Sequence, residues 1–145
     1  MLNDYLKTNN LINSKNLILI YNILRDLGLN TTLKGTKLLN KSIQIVINSE
    51  VEFIVLENVY NKLALKCVGF NSAQIRNSIK YAIDTRNEEK SKVNFENIFG
   101  YQYDSYYFTN KTLIEEIARV VKYKNSIIMH LSLIHISEPT RPEPI

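Results

Sequence analysis

The sequence predicts an all-α protein, and three observations carry that reading. From Asn16 onward, apolar residues recur at three- and four-residue spacing, the period of a helix with one buried face. Helix punctuation falls where that periodicity starts and stops, with Gly28 after the first apolar set and Gly69 and Asn71 ahead of the fourth. No strand pattern survives, because the one alternating run, "IQIVI" at 43–47, is short and continues a helical stripe.

Residues 1–15 are polar and Asn-rich, and read as a lead-in segment, either loose or one short helix. In the first helix Leu17, Ile20, Tyr21, Leu24 and Leu27 share a face, and Gly28 supplies a C-terminal stop. The loop "LNTTLKG" leads into a second helix with Leu38, Leu39, Ile43, Val46 and Ile47 turned inward. A third helix over about 54–67 buries Leu56, Val59, Tyr60, Leu63 and Cys67, and the run 68–70 breaks it. The fourth starts after Asn71, a good N-cap, and Gln74 three positions on completes a capping-box pattern. Its inward set is Ile75, Ile79, Ala82, Ile83 and the stem of Arg86. Asn77, Tyr81 and Asp84 point outward, with Arg76 and Lys80 flanking one side and Gln74 the other. A short helical turn is expected near "NFENIFG", then a tyrosine-rich loop, "YQYDSYYF". The last helix starts at Thr109 or Asn110 and buries Leu113, Ile114, Ile117, Val120 and Val121.

Composition narrows the function classes. The 145 residues suit one domain with a real core and are too few for two ordinary ones. With 18 Lys+Arg against 14 Asp+Glu, the net charge of +4 permits an anionic partner without demanding one. The single cysteine, Cys67, excludes an intramolecular disulfide and suits a reducing, cytoplasmic setting. The apolar run "LILIY" is far short of a membrane span or a signal-peptide core.

All three prolines and both histidines lie in the closing stretch "HLSLIHISEPTRPEPI", which also departs from the Asn/Lys/Ile/Tyr-rich style before it. The run "LSLIHISEPTRP" looks like translated sequencing-adapter read-through, and we set residues 130–145 aside. The expected organisation is a lead-in at 1–15, a domain at 16–124 and a non-native or disordered tail at 125–145. Without Arg141, Glu138 and Glu143 the body holds 17 basic and 12 acidic groups, net +5. It then has no histidine, which removes Ser-His-Asp, Cys-His and His-metal sites. The adjacent pairs Glu88–Glu89 and Glu115–Glu116 point to different sides and read as solvated charges. No enzyme activity and no cofactor is expected.

Two helices joined by a short Gly-containing turn fit the helix-turn-helix outline, in which the second helix enters the major groove. Arg can bond guanine O6/N7, and Asn or Gln can bond adenine N6/N7. Gln74, Arg76, Asn77, Lys80 and Tyr81 are therefore the candidate base contacts, and double-stranded DNA is the expected partner. Lys34, Lys62, Lys66, Ser72 and Arg86 are candidate phosphate contacts, which position without specifying sequence. Two core helices with a merely solvated face would share this outline.

The order and spacing of "ILRDLGLNTTLKGTKLLNKSIQIV", "VYNKLALK", "IRNSIKYAID", "IFGY" and "FTNKTLIEEIA" add a further constraint. Over about residues 16–123 the chain resembles the DNA-binding effector domain of the stage 0 sporulation protein A family, response regulators of sporulation in Firmicutes. The most specific marks are Leu27-Gly28, Lys34-Gly35, the Ile75/Ile79/Ala82/Ile83 pattern, Phe99-Gly100-Tyr101 and Thr109-Asn110. The resemblance implies a six-helix fold containing a helix-turn-helix, sequence-specific transcriptional control, and a homodimer of adjacent subunits on tandem sites. Where the family's recognition helix reads S-R-V-E-R-A-I-R-H-A-I-E, this one reads "AQIRNSIKYAID". The scaffold positions persist while the reading positions change, which implies a different operator or a weaker reader. Phe108 stands where the family has proline. The family's receiver domain has no counterpart in residues 1–15, so the expectation is either a fragment or a stand-alone effector without phosphorylation control. The alternative function is a protein-interaction module that dimerises or competes with a full-length regulator without reading DNA. The tyrosine cluster would suit such an interface.

Overall fold

A computed structural model describes residues 2–49, 54–67 and 69–137, with side chains described over 13–49, 54–67 and 69–127. Its helices are α1 (Leu2–Asp26), α2 (Lys34–Ile47), α3 (Leu56–Lys66), α4 (Ser72–Asp84), α5 (Glu88–Phe99) and α6 (Asn110–Ser137). A short 3-10 turn, Ser105–Tyr107, precedes α6. The described residues contain no strand, and "IQIVI" lies at the end of α2 as its helical stripe requires. None of the described helices is long and apolar enough to cross a membrane.

The second helix is the hub, packing against α1, α3, α4 and α6. Leu38, Leu39, Ile43 and Val46 supply its buried face. Around them close Ile20, Leu24 and Leu27 of α1, Val59, Tyr60 and Leu63 of α3, and Ile75, Ile79, Ala82 and Ile83 of α4. Leu113, Ile114, Ile117, Val120 and Val121 of α6 complete the core.

Two glycines make joints that a side chain would block. Gly28 sits at φ +93°, and a Cβ there would fall 2.2 Å from the Asn87 carbonyl oxygen. The Gly28 N–H donates to the Arg25 carbonyl at 3.0 Å and the Leu29 N–H to the Leu24 carbonyl at 3.0 Å, a Schellman end to α1. Gly35 lets α2 cross α4 at close range, since a Cβ would fall 1.9 Å from the Ser78 carbonyl oxygen.

The structure departs from the sequence reading in several places. The buried face of α1 is rotated: Leu17 and Tyr21 are 46% and 44% exposed, whereas Ile23 is buried. Tyr21 is drawn to the surface, where its hydroxyl donates to Thr31 Oγ1 at 3.2 Å. Cys67 is only partly buried, at the edge of the core. The turn expected near 94–100 is the end of a 12-residue helix that starts after Asn87, whose side chain accepts from the Lys90 N–H. That helix is polar and turns only Ser91, Phe95 and Phe99 fully inward, which leaves little periodicity to read. Helix α1 includes most of the 1–15 lead-in, and α6 continues through Lys124. Asn125 Nδ2 donates to Asn16 Oδ1 at 3.0 Å. Residues 138–145 of the expected tail lie outside the described residues.

Candidate nucleic-acid interface

The turn between α3 and α4 is built for a sharp change of direction. Helix α3 closes with the Cys67 N–H donating to the Leu63 carbonyl at 2.8 Å, and Gly69 follows at φ +90° in open space. Phe70 packs back against the core. Asn71 Oδ1 then accepts from the Gln74 N–H at 2.8 Å, and Gln74 Oε1 accepts from the Asn71 N–H at 2.9 Å. This capping box fixes where α4 begins and occupies the carbonyl of Gln74, leaving its amide N–H groups as donors.

From that start the two faces of α4 separate cleanly. Ile75, Ile79, Ala82 and Ile83 are buried, while Gln74, Arg76, Asn77, Lys80 and Tyr81 are all exposed. Asn77 and Tyr81 share a shallow groove with Leu33, Lys34, Gly35 and Ser78. The groove exists because Gly35 brings α2 against α4, and it places Lys34 beside the outer face. Lys34 Nζ also lies 5.7 Å from the Phe70 ring centroid. The N-cap position of α2, Leu33, makes no side-chain cap, so its first N–H groups add positive potential beside Lys34.

Carboxylates temper both cations of the face. Arg76 Nη1 lies 3.9 Å from Glu57 Oε2, and Lys80 Nζ lies 2.9 Å from Asp84 Oδ2. Every partner is about half exposed or more, so each pair is worth at most about 1 kcal/mol. Glu57 Oε1 also accepts from the Ser72 hydroxyl at 2.6 Å.

The other candidate phosphate contacts divide. Lys62 and Lys66 are exposed on α3 and line two further hollows, neither of which is lined by an α4 residue. Arg86 turns inward. Its Nε donates to Ser91 Oγ at 3.0 Å, Nη1 to the Ile83 carbonyl at 3.2 Å and Nη2 to the Tyr103 hydroxyl at 3.1 Å. The guanidinium carbon stands 3.7 Å from the Phe108 ring centroid.

Two residues outside the sequence-derived set support the interface. Asn110, the first residue of α6, donates through Nδ2 to the Arg76 carbonyl at 3.0 Å and to the Tyr60 hydroxyl at 3.1 Å, bracing α4 against α3. Burial pushes the Tyr60 phenol above its ordinary pKa, with the Asn110 hydrogen bond opposing that shift. The Thr109-Asn110 pair was legible as a helix start, and its tertiary bonds were not. Glu57 carries no sequence signal, because an acidic residue in a first helical turn is ordinary. Among the described residues no group of His, Cys, Asp and Glu is placed to hold a metal ion.

The family described as "Sporulation initiation factor Spo0A C terminal" matches residues 20–121. No curated protein and no solved structure matches the chain. The protein belongs to this family of sporulation-regulator DNA-binding domains.

Proposed function

We propose, from that membership, that the protein is a sequence-specific DNA-binding transcription regulator that lays α4 in the major groove. One observation carries the reading. Five side chains able to bond bases stand exposed on a helix whose opposite face is buried and whose start is fixed by a capping box. Arg76, Asn77 and Gln74, nearest that start, take base edges, with Lys80 and Tyr81 following. Lys34 and the α2 N-terminus hold a phosphate at the rim of the groove, and Lys62 and Lys66 supply further backbone contacts. Adjacent subunits share one site in this reading, a point supported by the family likeness alone.

The tyrosine cluster lends little support to the interaction-module alternative. Tyr101, Tyr103 and Tyr107 pack around Phe95, at ring-centroid separations of 5.8, 5.4 and 5.7 Å. Their apolar area is spent inside the fold, and only Tyr106 of the four is prominently exposed.

Selection of bound sequences from a random DNA pool tests the reading. A recurring motif is expected, with contacts mapping to the major groove. Enrichment of no motif from a pool that the protein nonetheless binds would reject specific reading by α4.

A further inference from the structure

We propose that Glu57 sets the selectivity of α4 by withholding Arg76 and Ser72 from DNA phosphates. The inference rests on the DNA-binding reading and adds to it a residue that makes no favourable DNA contact of its own. Glu57 stands in the first turn of α3, and its two carboxylate oxygens are divided between two groups one helical turn apart on α4. Oε1 takes the Ser72 hydroxyl at 2.6 Å, and Oε2 faces Arg76 Nη1 at 3.9 Å. The only proton that the Ser72 hydroxyl can donate is thereby committed.

The two kinds of DNA acceptor compete with this carboxylate on unequal terms. A phosphate approaching Arg76 brings a negative charge into the field of Glu57 and is repelled. A guanine edge presents O6 and N7 as a neutral, coplanar pair that matches the guanidinium fork. Glu57 therefore penalises indiscriminate backbone contact more than base contact. The Lys80–Asp84 pair differs in geometry, lying within one helix and joining a single ammonium to a single carboxylate oxygen.

The test uses the full chain and two duplexes, one carrying the selected site and one of random sequence, each titrated across a salt series. Glu57→Gln keeps an acceptor for Ser72 and removes the charge. It is expected to raise affinity for the random duplex about two- to fivefold and to steepen the salt slope by about one, narrowing the preference for the selected site. In an Arg76→Ala background the same change should have little effect. Unchanged affinity and slope on random DNA would overturn the proposal. So would an equal gain in the Arg76→Ala background, which would assign the effect to loss of negative charge in general. A wild-type protein with no salt-dependent affinity for either duplex is a different result, and removes the DNA-binding reading itself.

Discussion

Arg86 illustrates what a sequence shows of a single residue and what it hides. Its place just after the polar face of α4 reads as a phosphate contact, yet three of its donors are bonded within the fold and its plane is stacked on Phe108. The same contact gives a role to Phe108, because the ring forms the floor for the guanidinium. Neither partner could be read locally, since Tyr103 and Phe108 lie 17 and more residues away along the chain. We propose a structural role, and Arg86→Lys separates it from the first reading. Lysine keeps the charge and loses the fork, so stability should fall by about 1.5–3 kcal/mol in urea unfolding while the salt slope of DNA binding holds. Unchanged stability with a shallower slope would return Arg86 to the phosphate contacts. Arg76→Ala and Asn77→Ala are expected to cost about 1–3 kcal/mol on the selected site and little on random DNA. Equal losses on both duplexes would make them phosphate contacts. Tyr101 gives a pH prediction: burial, and then its hydrogen bond to Glu116, push its phenol from 10.0 up to about 12. The folded state therefore keeps a proton that the unfolded state loses, and stability falls as pH rises between about 10 and 12. Tyr101→Phe should flatten that fall in part, as read by melting temperature against pH.

At the scale of elements, legibility followed the strength of the apolar stripe. Helix α4 was readable end to end, because four buried residues alternate with polar ones and Asn71 with Gln74 marks the start. Helix α5 was not, because a stripe of Phe95 and Phe99 with one buried serine falls below what periodicity detects. What holds α5 is tertiary: Ser91 Oγ bonds to the Leu27 carbonyl, and Asn94 Nδ2 donates to the Asp26 carbonyl at 2.7 Å. The rotated face of α1 is a second case, in which spacing alone could not choose between Tyr21 and Ile23. Two substitutions probe the α2–α4 pairing that presents the reading face. Ile79 is fully buried, so Ile79→Ala should cost about 2–5 kcal/mol of stability. Gly35→Ala should cost about 1–3 kcal/mol or more, because the added methyl meets backbone at Ser78 that cannot swing aside. Wild-type stability of both variants would show that α2 and α4 do not pack as described.

For the whole molecule, the family match from Ile20 to Val121 begins and ends on buried core residues, and everything that shapes α4 lies between them. The segments outside it are where sequence style and structure pull apart. Residues 130–145 carry the adapter-like run, and a chain ending at Met129 is expected to melt with the full chain. Ending it at Lys124 removes Asn125, the bonding partner of the buried Asn16 side chain, and should cost about 1–3 kcal/mol. The net charge of +4 is modest, so binding must come from the arrangement of cations around α4 rather than from bulk charge. The most direct measurement is the affinity of the protein for its selected duplex and for a random one across a salt series. With three cations, Lys34, Lys62 and Lys66, on phosphates, log affinity should fall with log salt at a slope of about −2.7. The selected duplex should stay at least about a thousandfold tighter throughout. Binding that ignores salt, or that treats the two duplexes alike, would contradict the account.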